Sequence, residues 1–311
     1  MFAGKKAAIA VCMIALPLAV AVFDLSFWLT LLLVIALLAW SWFDRISGVF
    51  RRGGGPALVL DTISMSHFAE KARWCLDYLG EDYEENKSNG LLGVIFTGRT
   101  VPRLRFRTGV VESSIGHSPE ILRYLWGEYG ARLEEAAFLE PSEASLELEQ
   151  KIDRYGADLQ VWVYYHVLPY PELTLHIWGA DDPDVPWWQR ALAKPAYPLM
   201  AKFLRRTFKI SDGHYAKAVE HVDAMLVDVE ARLQSNKYLL GDTLSYVDLT
   251  FAAISGLWQQ PENYGGGQAE SCKVTFEEWP EDMREDVERW REKFPAATAY
   301  IEKLYAEERF G

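Results

Sequence analysis

Hydrophobic and polar positions follow two different periods along the chain after residue 56. Between 57 and 111, apolar residues occur in short runs or at every second position, as in Leu58-Val59-Leu60 and in Val101-Pro102-Arg103-Leu104-Arg105-Phe106. Such spacing is typical of strands. One stretch with helical spacing, 69–79, interrupts them, and another runs from 118 to 125. The order predicts a small α/β domain with the arrangement β-α-β-β-β-α.

From residue 141 onward the strand pattern is absent and apolar residues recur at helical spacing. Loops are predicted at 170–186 and 260–280, where prolines, glycines and acidic residues collect. A series of amphipathic helices without intervening strands indicates an all-helical bundle. We therefore predict an α/β domain at 57–130 and an all-α domain at 141–311. The helical stretches are 143–167, 187–208, 214–233, 247–259, 283–294 and 296–309.

The first 56 residues contain two long apolar runs, 7–23 and 25–43, separated by Asp24. Each run is about long enough to cross a hydrocarbon core of roughly 30 Å at about 1.5 Å per residue. Basic residues lie on both sides of the pair, which by the positive-inside rule places both ends in the cytoplasm. The pattern predicts a transmembrane helical hairpin, a multi-pass membrane location and globular domains that face the cytoplasm.

A cleaved signal peptide ending near Val22 is the alternative for this segment, because a basic start followed by an apolar core fits it as well. A second apolar run, 25–43, follows the first after a single residue, which a signal peptide does not require and a helical hairpin does. We therefore prefer the anchor, which makes 1–56 a membrane-anchoring segment. Its end, Gly53-Gly54-Gly55-Pro56, is a flexible linker to the globular part.

Composition and charge narrow the range of functions. Half of the residues are hydrophobic and the formal net charge is −12, which argues against disorder and against a nucleic-acid partner. The three cysteines, Cys12, Cys75 and Cys272, form no CxxC pair, and the six histidines form no HxxxH pattern. Neither a disulfide framework nor a metal site is indicated.

The stretch from Leu58 to Arg73 is the first candidate for chemistry. Ser66 directly precedes residues with helical spacing and is a candidate N-cap. A hydroxyl at a helix N-terminus lies among unpaired N–H groups and the positive end of the helix dipole, which suits an anion such as a thiolate. An ordinary strand–turn–helix without a site explains the same residues, so the pattern alone leaves both interpretations open.

Four short motifs lie at Ser66 to Trp74, at Val101 to Leu104, at Ser118 to Leu125 and at Tyr238 to Leu249. Together they resemble motifs of the cytosolic glutathione transferase family. Each motif is weak by itself, but the four occur in the family's order and cover about 57–306. The segment from Ser66 to Trp74 resembles the start of the family's first helix, Val101-Pro102-Arg103-Leu104 resembles the V-P-x-L that carries a cis-proline, Ser118 to Leu125 resembles the start of the third helix, and Tyr238 to Leu249 resembles the capping-box segment of the helical domain.

The motif from Tyr238 to Leu249 can also be explained by a role in folding alone. Ser245 caps the helix that follows, and Asp248 stands in place of the usual Glu as the partner of the Ser245 backbone N–H. This role is structural, so neither residue is a candidate for chemistry.

The resemblance implies a thioredoxin-like, glutathione-binding domain followed by the all-helical domain. It implies that Ser66 meets the sulfur of glutathione, with Ser64 as the second choice. A serine there, where other members have cysteine, makes exchange through a mixed disulfide an unfavoured chemistry. The implied binding residues are Val101 and Pro102 for the peptide backbone, and His117, Ser118 and Arg99 for the charged ends of glutathione.

By the same resemblance, the expected activity is that of a glutathione transferase, which conjugates the glutathione thiolate to an alkyl or aryl electrophile. The expected partners are glutathione as co-substrate, a hydrophobic electrophile at the membrane surface and, as one option, a second copy in a homodimer; no metal is expected. The alternative is a non-catalytic, membrane-anchored interaction module with the same fold. His117 favours this alternative, because the family has an acidic residue at that position.

Overall fold

The structure is a computed structural model, and it describes residues 57–88, 91, 101–108 and 111–309 together with positions 31, 32, 35, 36 and 39. The chain divides into two compact units. One comprises Leu60–Leu104 and Ile115–Gly311, and the other Met1–Val59 and Arg105–Ser114. All helices named below belong to the first unit. The domain boundaries expected from the sequence, at 57–130 and 141–311, stay a prediction.

A four-stranded sheet has the order β2-β1-β3-β4. The two inner strands carry the apolar positions that the sequence pattern predicts, and Leu60 and Leu104 have no exposed surface. The two outer strands are largely polar, because an outer strand pairs on one side only. The strands are β1 (Leu58–Asp61), β2 (Tyr83–Asn86), β3 (Arg103–Thr108) and β4 (Val111–Gly116).

Helices make up most of the remaining described residues. Of the six helices expected after residue 141, two begin at the predicted residue and the other four begin one or two residues before it. The described residues also contain a helix that the sequence does not predict, Pro171–Ile177, inside the predicted loop at 170–186. The helices are α1 (His67–Tyr78), α2 (Ser118–Tyr129), α3 (Glu143–Val167), α4 (Pro171–Ile177), α5 (Trp187–Thr207), α6 (Asp212–Leu233), α7 (Tyr246–Gln259), α8 (Glu281–Lys293) and α9 (Pro295–Glu307).

Helix α7 lies at the centre of the helical part, and every one of its residues is buried. It packs against α1, α3 and α9. Gly256 allows a close approach here, because a Cβ at this position would lie 2.5 Å from the Tyr264 ring. The Tyr264 hydroxyl donates to the Met65 carbonyl at 3.1 Å. The central helix therefore supports the turn that precedes α1.

The membrane location predicted from the sequence is wrong. Within 57–88, 91, 101–108 and 111–309 and the five earlier positions, no helix is long and apolar enough to cross a membrane. The apolar runs 7–23 and 25–43 lie outside the described residues, apart from those five positions. A long apolar run is necessary for a membrane span, but its length does not by itself establish one. The multi-pass location is therefore withdrawn.

Candidate active site

A cleft of about 1150 Å³ lies in the unit that contains the helices. Five of the residues predicted from the sequence line it: Ser66, Val101, Pro102, His117 and Ser118. They come from the N-terminus of α1, from the segment before β3 and from the N-terminus of α2. Residues more than 50 positions apart in the chain thus share one surface.

Ser66 caps α1, as the sequence pattern predicts. Its backbone is extended, and its hydroxyl oxygen accepts a hydrogen bond from the Ala69 N–H at 3.3 Å. Because the oxygen acts as the acceptor in that bond, the hydroxyl proton can be donated to a group in the cleft. The side chain is half-buried, so a bound anion would be only partly shielded from water. The arrangement suits the stabilisation of a thiolate.

Ser64 lies in a different environment from Ser66. Its side chain is buried, with 2% of its surface exposed, and its hydroxyl donates to the Asp182 carboxylate at 2.9 Å. Ser64 is not among the residues that line the cleft. Of the two serines considered from the sequence, the geometry therefore favours Ser66 as the partner of a bound sulfur.

The Val101–Pro102 peptide bond is cis, as the family resemblance implies. Pro102 is buried and Val101 is half-buried, and both line the cleft immediately before β3 begins. A backbone segment that precedes a strand and borders a cleft can pair with an extended peptide through its own N–H and C=O groups.

Helix α2 begins at Ser118, where the helical spacing in the sequence begins. Pro119 is the next residue, and His117 occupies the N-cap position without a side-chain cap bond. His117 has a φ of 65° and an exposed side chain, whereas Ser118 is buried. Glu120, in the first turn, also lines the cleft. An acidic side chain is thus present at this end of the cleft, although it follows Ser118 and does not precede it.

Much of the lining of the cleft is apolar or aromatic, and the sequence predicts little of this apolar wall. Five aromatic residues of the helical part are candidates for it from the sequence, and of these only Tyr164 lines the cleft. The five are Trp162, Tyr164, Tyr165, Trp187 and Trp188. Trp162 is fully buried and donates to Asp286 at 2.8 Å, while Trp187 is 74% exposed. Tyr165 and Trp188 do not line the cleft either. The wall is formed by Phe68, Val161, Tyr164, Trp178, Met200, Phe203, Leu204 and Phe208.

Two further expectations concern binding groups. Arg99, predicted to face a glutathione carboxylate, lies outside the described residues. In the part of the chain that the structure describes, no three His, Cys, Asp or Glu side chains are grouped so that they could hold a metal ion.

The cysteine thiols are expected to be unreactive in the folded protein. Cys75 and Cys272 are both buried, and burial raises the pKa of Cys75 from 9.0 to about 12, which lowers its thiolate fraction about a thousandfold. In a Cys12→Ser variant, a disulfide reagent should label neither thiol on the timescale of free cysteine, and both after denaturation in urea. Rapid labelling of the native protein would contradict this prediction and reopen a mixed-disulfide chemistry.

A comparison with protein-family models agrees with the resemblance to glutathione transferases in one segment of the chain. Residues 212–303 match the family model described as glutathione S-transferase, C-terminal domain. No curated protein sequence matches the chain.

Similar solved structures include glutathione S-transferases and other proteins. One is a glutathione S-transferase from Methylobacterium radiotolerans in complex with glutathione sulfonate, with 16% identity, coverage of 81% of this chain and 92% of that one, and a TM-score of 0.49. FzlA from C. crescentus has 14% identity, coverage of 81% and 89%, and a TM-score of 0.44. A glutathione S-transferase from Rhodospirillum rubrum has 19% identity, coverage of 81% and 90%, and a TM-score of 0.41.

Proposed function

We propose that this protein is a glutathione transferase that binds glutathione at one side of the cleft and conjugates its sulfur to a hydrophobic electrophile held against the apolar wall. The observation that carries the proposal is the convergence of Ser66, Val101, Pro102, His117 and Ser118 on one cleft. The family match of residues 212–303 supports it independently. We also propose the domain division expected from the sequence, with the glutathione-binding part at 57–130.

In this mechanism, Ser66 makes the thiolate available. The hydroxyl donates a hydrogen bond to the sulfur, and the α1 N-terminus adds its dipole, so both favour the thiolate over the thiol. The proton lost by the thiol passes to solvent. The thiolate then attacks the electrophilic carbon, a C–S bond forms, and the leaving group departs with the electron pair of its bond to that carbon.

The ends of glutathione would be held by the other side of the cleft. The backbone of Val101 pairs with the peptide, and the first turn of α2, with Ser118, receives a carboxylate. Glu120 takes the place of the acidic residue missing before Ser118 and pairs with the α-ammonium of the γ-glutamyl group. Phe68, Trp178 and Phe203 line the cleft and would pack against the electrophile.

Replacing Ser66 by Ala tests the proposal. Removal of a hydrogen bond to a charged sulfur costs about 1.5–3 kcal/mol, so kcat for a chloronitrobenzene should fall about 10- to 100-fold. The pKa of the bound glutathione thiol, measured from thiolate absorbance, should rise. Glutathione affinity should change little at a pH where the thiol is protonated.

Ser142→Ala is the matched control, because Ser142 caps α3 through an equivalent bond from the Ser145 N–H at 3.1 Å but does not line the cleft. Both variants should lose about 1 kcal/mol of helix capping, and only Ser66→Ala should change the thiol pKa. If the wild type binds no glutathione, the proposal is wrong and the interaction module is favoured. If Ser66→Ala keeps its rate, the role moves to the helix N-terminus itself.

A further inference from the structure

A buried carboxylate outside the cleft joins two segments that form its walls. Asp182 has no exposed surface. Its Oδ2 accepts hydrogen bonds from the Ser64 hydroxyl at 2.9 Å and, at 3.9 Å, from the Cys272 thiol, and it lies 3.2 Å from the Lys87 ammonium. Its Oδ1 accepts from the Asp184 N–H at 2.9 Å. The side chain therefore has four partners, one on its own segment and three on other segments of the chain.

The charge on Asp182 is stabilised within this cluster. Burial alone would raise its pKa, but the Asp184 N–H, the Ser64 hydroxyl and the Lys87 ammonium together hold the pKa below its ordinary value. Asp182 is therefore ionised at neutral pH. A buried carboxylate that keeps its charge makes strong, directional hydrogen bonds, because removing any donor leaves charge uncompensated.

One end of this bridge is the turn that leads to Ser66. Ser64 lies two residues before Ser66 in the chain, and the Ser66 N–H donates to the Ile63 carbonyl at 2.9 Å. The intervening Met65 carbonyl is held by Tyr264. A displacement of Ser64 is thus transmitted directly to the hydroxyl that borders the cleft.

The other end of the bridge is the connection between α4 and α5. Trp178, which lines the cleft, is the residue that follows α4, and Asp182 lies four residues later. The connection is tight, since the Asp182 N–H donates to the Gly179 carbonyl at 3.2 Å. Near the start of α5, Gln189 donates to the Ser88 carbonyl at 2.7 Å. The segment after β2 is therefore bound to α5 through Ser88 and to the α4–α5 connection through the Lys87–Asp182 pair. These two contacts limit movement of the apolar wall.

We infer that Asp182 is a positioning residue: through Ser64 on one side and the α4–α5 connection on the other, it fixes the distance between the Ser66 hydroxyl and the apolar wall at Trp178. The inference rests on the proposed function, in which the sulfur meets Ser66 and the electrophile packs on that wall. The effect on the reaction is one of alignment, since a displacement of about 1 Å can cost about 100-fold in rate.

The test compares Asp182→Asn and Ser64→Ala with Asp184→Asn in the full-length protein. Asp184 is the matched control, because it contacts the same Lys87 ammonium at 3.2 Å but is 65% exposed and makes no bond to Ser64. Ser64→Ala is the mildest change, since it removes one hydroxyl and leaves the Asp182–Lys87 pair in place. It keeps the test decisive if Asp182→Asn does not fold.

Three measurements are made on each variant: steady-state kinetics with glutathione and a chloronitrobenzene, the pKa of the bound thiol, and amide hydrogen exchange without ligand. In Asp182→Asn and Ser64→Ala, kcat should fall about 10- to 100-fold with KM for glutathione within about twofold. The thiol pKa should rise by about one unit. Exchange should accelerate at least about tenfold at both 62–69 and 178–185. Asp184→Asn should match the wild type.

A purely structural role predicts a different result, namely a lower unfolding temperature with an unchanged thiol pKa and an unchanged kcat, and this result would overturn the inference. If the wild type does not conjugate glutathione, the proposed function fails, and hydrogen exchange decides alone. Faster exchange in both segments then supports the link between the two walls, and exchange confined to one segment or unchanged in both overturns it.

Discussion

Replacing Arg73 by Met is expected to lower the free energy of unfolding by about 3–5 kcal/mol, the cost of removing one partner from a buried ion pair. Arg73 has no exposed side-chain surface. Its Nη1 lies 2.7 Å from Glu70, and its Nε and Nη2 donate to the two oxygens of Glu85 at 2.9 and 2.7 Å. The substitution leaves two buried carboxylates without this shared cation.

The electrostatics of the cluster agree with this expectation. Burial by itself lowers the pKa of Arg73, but the carboxylates of Glu85 and Glu70 raise it well above its ordinary value. Arg309 pairs with Glu70 at 3.0 Å and with Asp77 at 2.6 Å. Two guanidinium groups therefore compensate three carboxylates, and the loss of one leaves an excess of two negative charges in the cluster.

Arg132→Met is the control, because Arg132 pairs with Glu128 on the surface, where both side chains are exposed. An exposed pair is worth about 0–1 kcal/mol, so urea unfolding should separate the two variants clearly. Adding Glu85→Leu to Arg73→Met should recover part of the loss, since it removes one uncompensated charge. Equal losses in Arg73→Met and Arg132→Met would show that the buried network has no special weight.

The inner strands and the long helices could be predicted from the sequence because their burial imposes a period. Strand β1 is identified by the apolar run Leu58-Val59-Leu60, and β3 by the alternation around Leu104. Both are inner strands of the sheet. β4 runs from Val111 to Gly116, whereas the predicted strand pattern ends at residue 111. Its outer position needs backbone pairing only, so its side chains carry no signal.

Helix α4 was not predicted for a related reason. It has seven residues, begins with Pro171 and is followed by Gly179 with a φ of 95°. Proline in the first turn and glycine after the end are ordinary helix boundaries, but a segment this short shows less than two full periods. Its prolines and acidic residues therefore matched a loop equally well.

The predicted site residues were found because they lie in short local motifs. The residues that the sequence did not predict take part in contacts between distant parts of the chain. Ser66, Val101 and Ser118 each lie at an element boundary with a recognisable pattern. Asp182, in contrast, meets Ser64 across 118 residues of chain. Glu70 shows the same limit, because it lies near the position of a capping-box partner in the sequence but faces Arg73 and Arg309 in the fold.

Replacing Asp248 by Ala should lower the free energy of unfolding by about 4 kcal/mol. The carboxylate has no exposed surface. One oxygen accepts from the N–H and the hydroxyl of Ser245, both at 2.8 Å, and the other accepts from the Leu239 N–H at 2.8 Å and the Tyr300 hydroxyl at 2.7 Å. The predicted capping box is therefore present and extends to two further segments.

The size of the effect follows from the donors left behind. Two backbone N–H groups and two hydroxyls lose their acceptor, and of these the Leu239 N–H and the Tyr300 hydroxyl are buried. Each buried group left unsatisfied costs about 1–3 kcal/mol before relaxation. The affected helix is α7, which packs against α1, so local loosening would reach the turn that carries Ser66. We expect the unfolding midpoint in urea to fall while the denaturant slope stays constant.

Glu278→Ala provides the comparison, because Glu278 accepts from the Thr275 N–H and hydroxyl at the same distance of 2.8 Å in an exposed capping box. Water can replace the carboxylate there, so the loss should stay near 1 kcal/mol. Asp248→Asn should lie between the two, since an amide oxygen can still serve Leu239 and Tyr300 while its NH₂ group opposes the Ser245 N–H. A loss below about 1 kcal/mol for Asp248→Ala would mean that solvent reaches these donors, and burial would then not be the source of the effect.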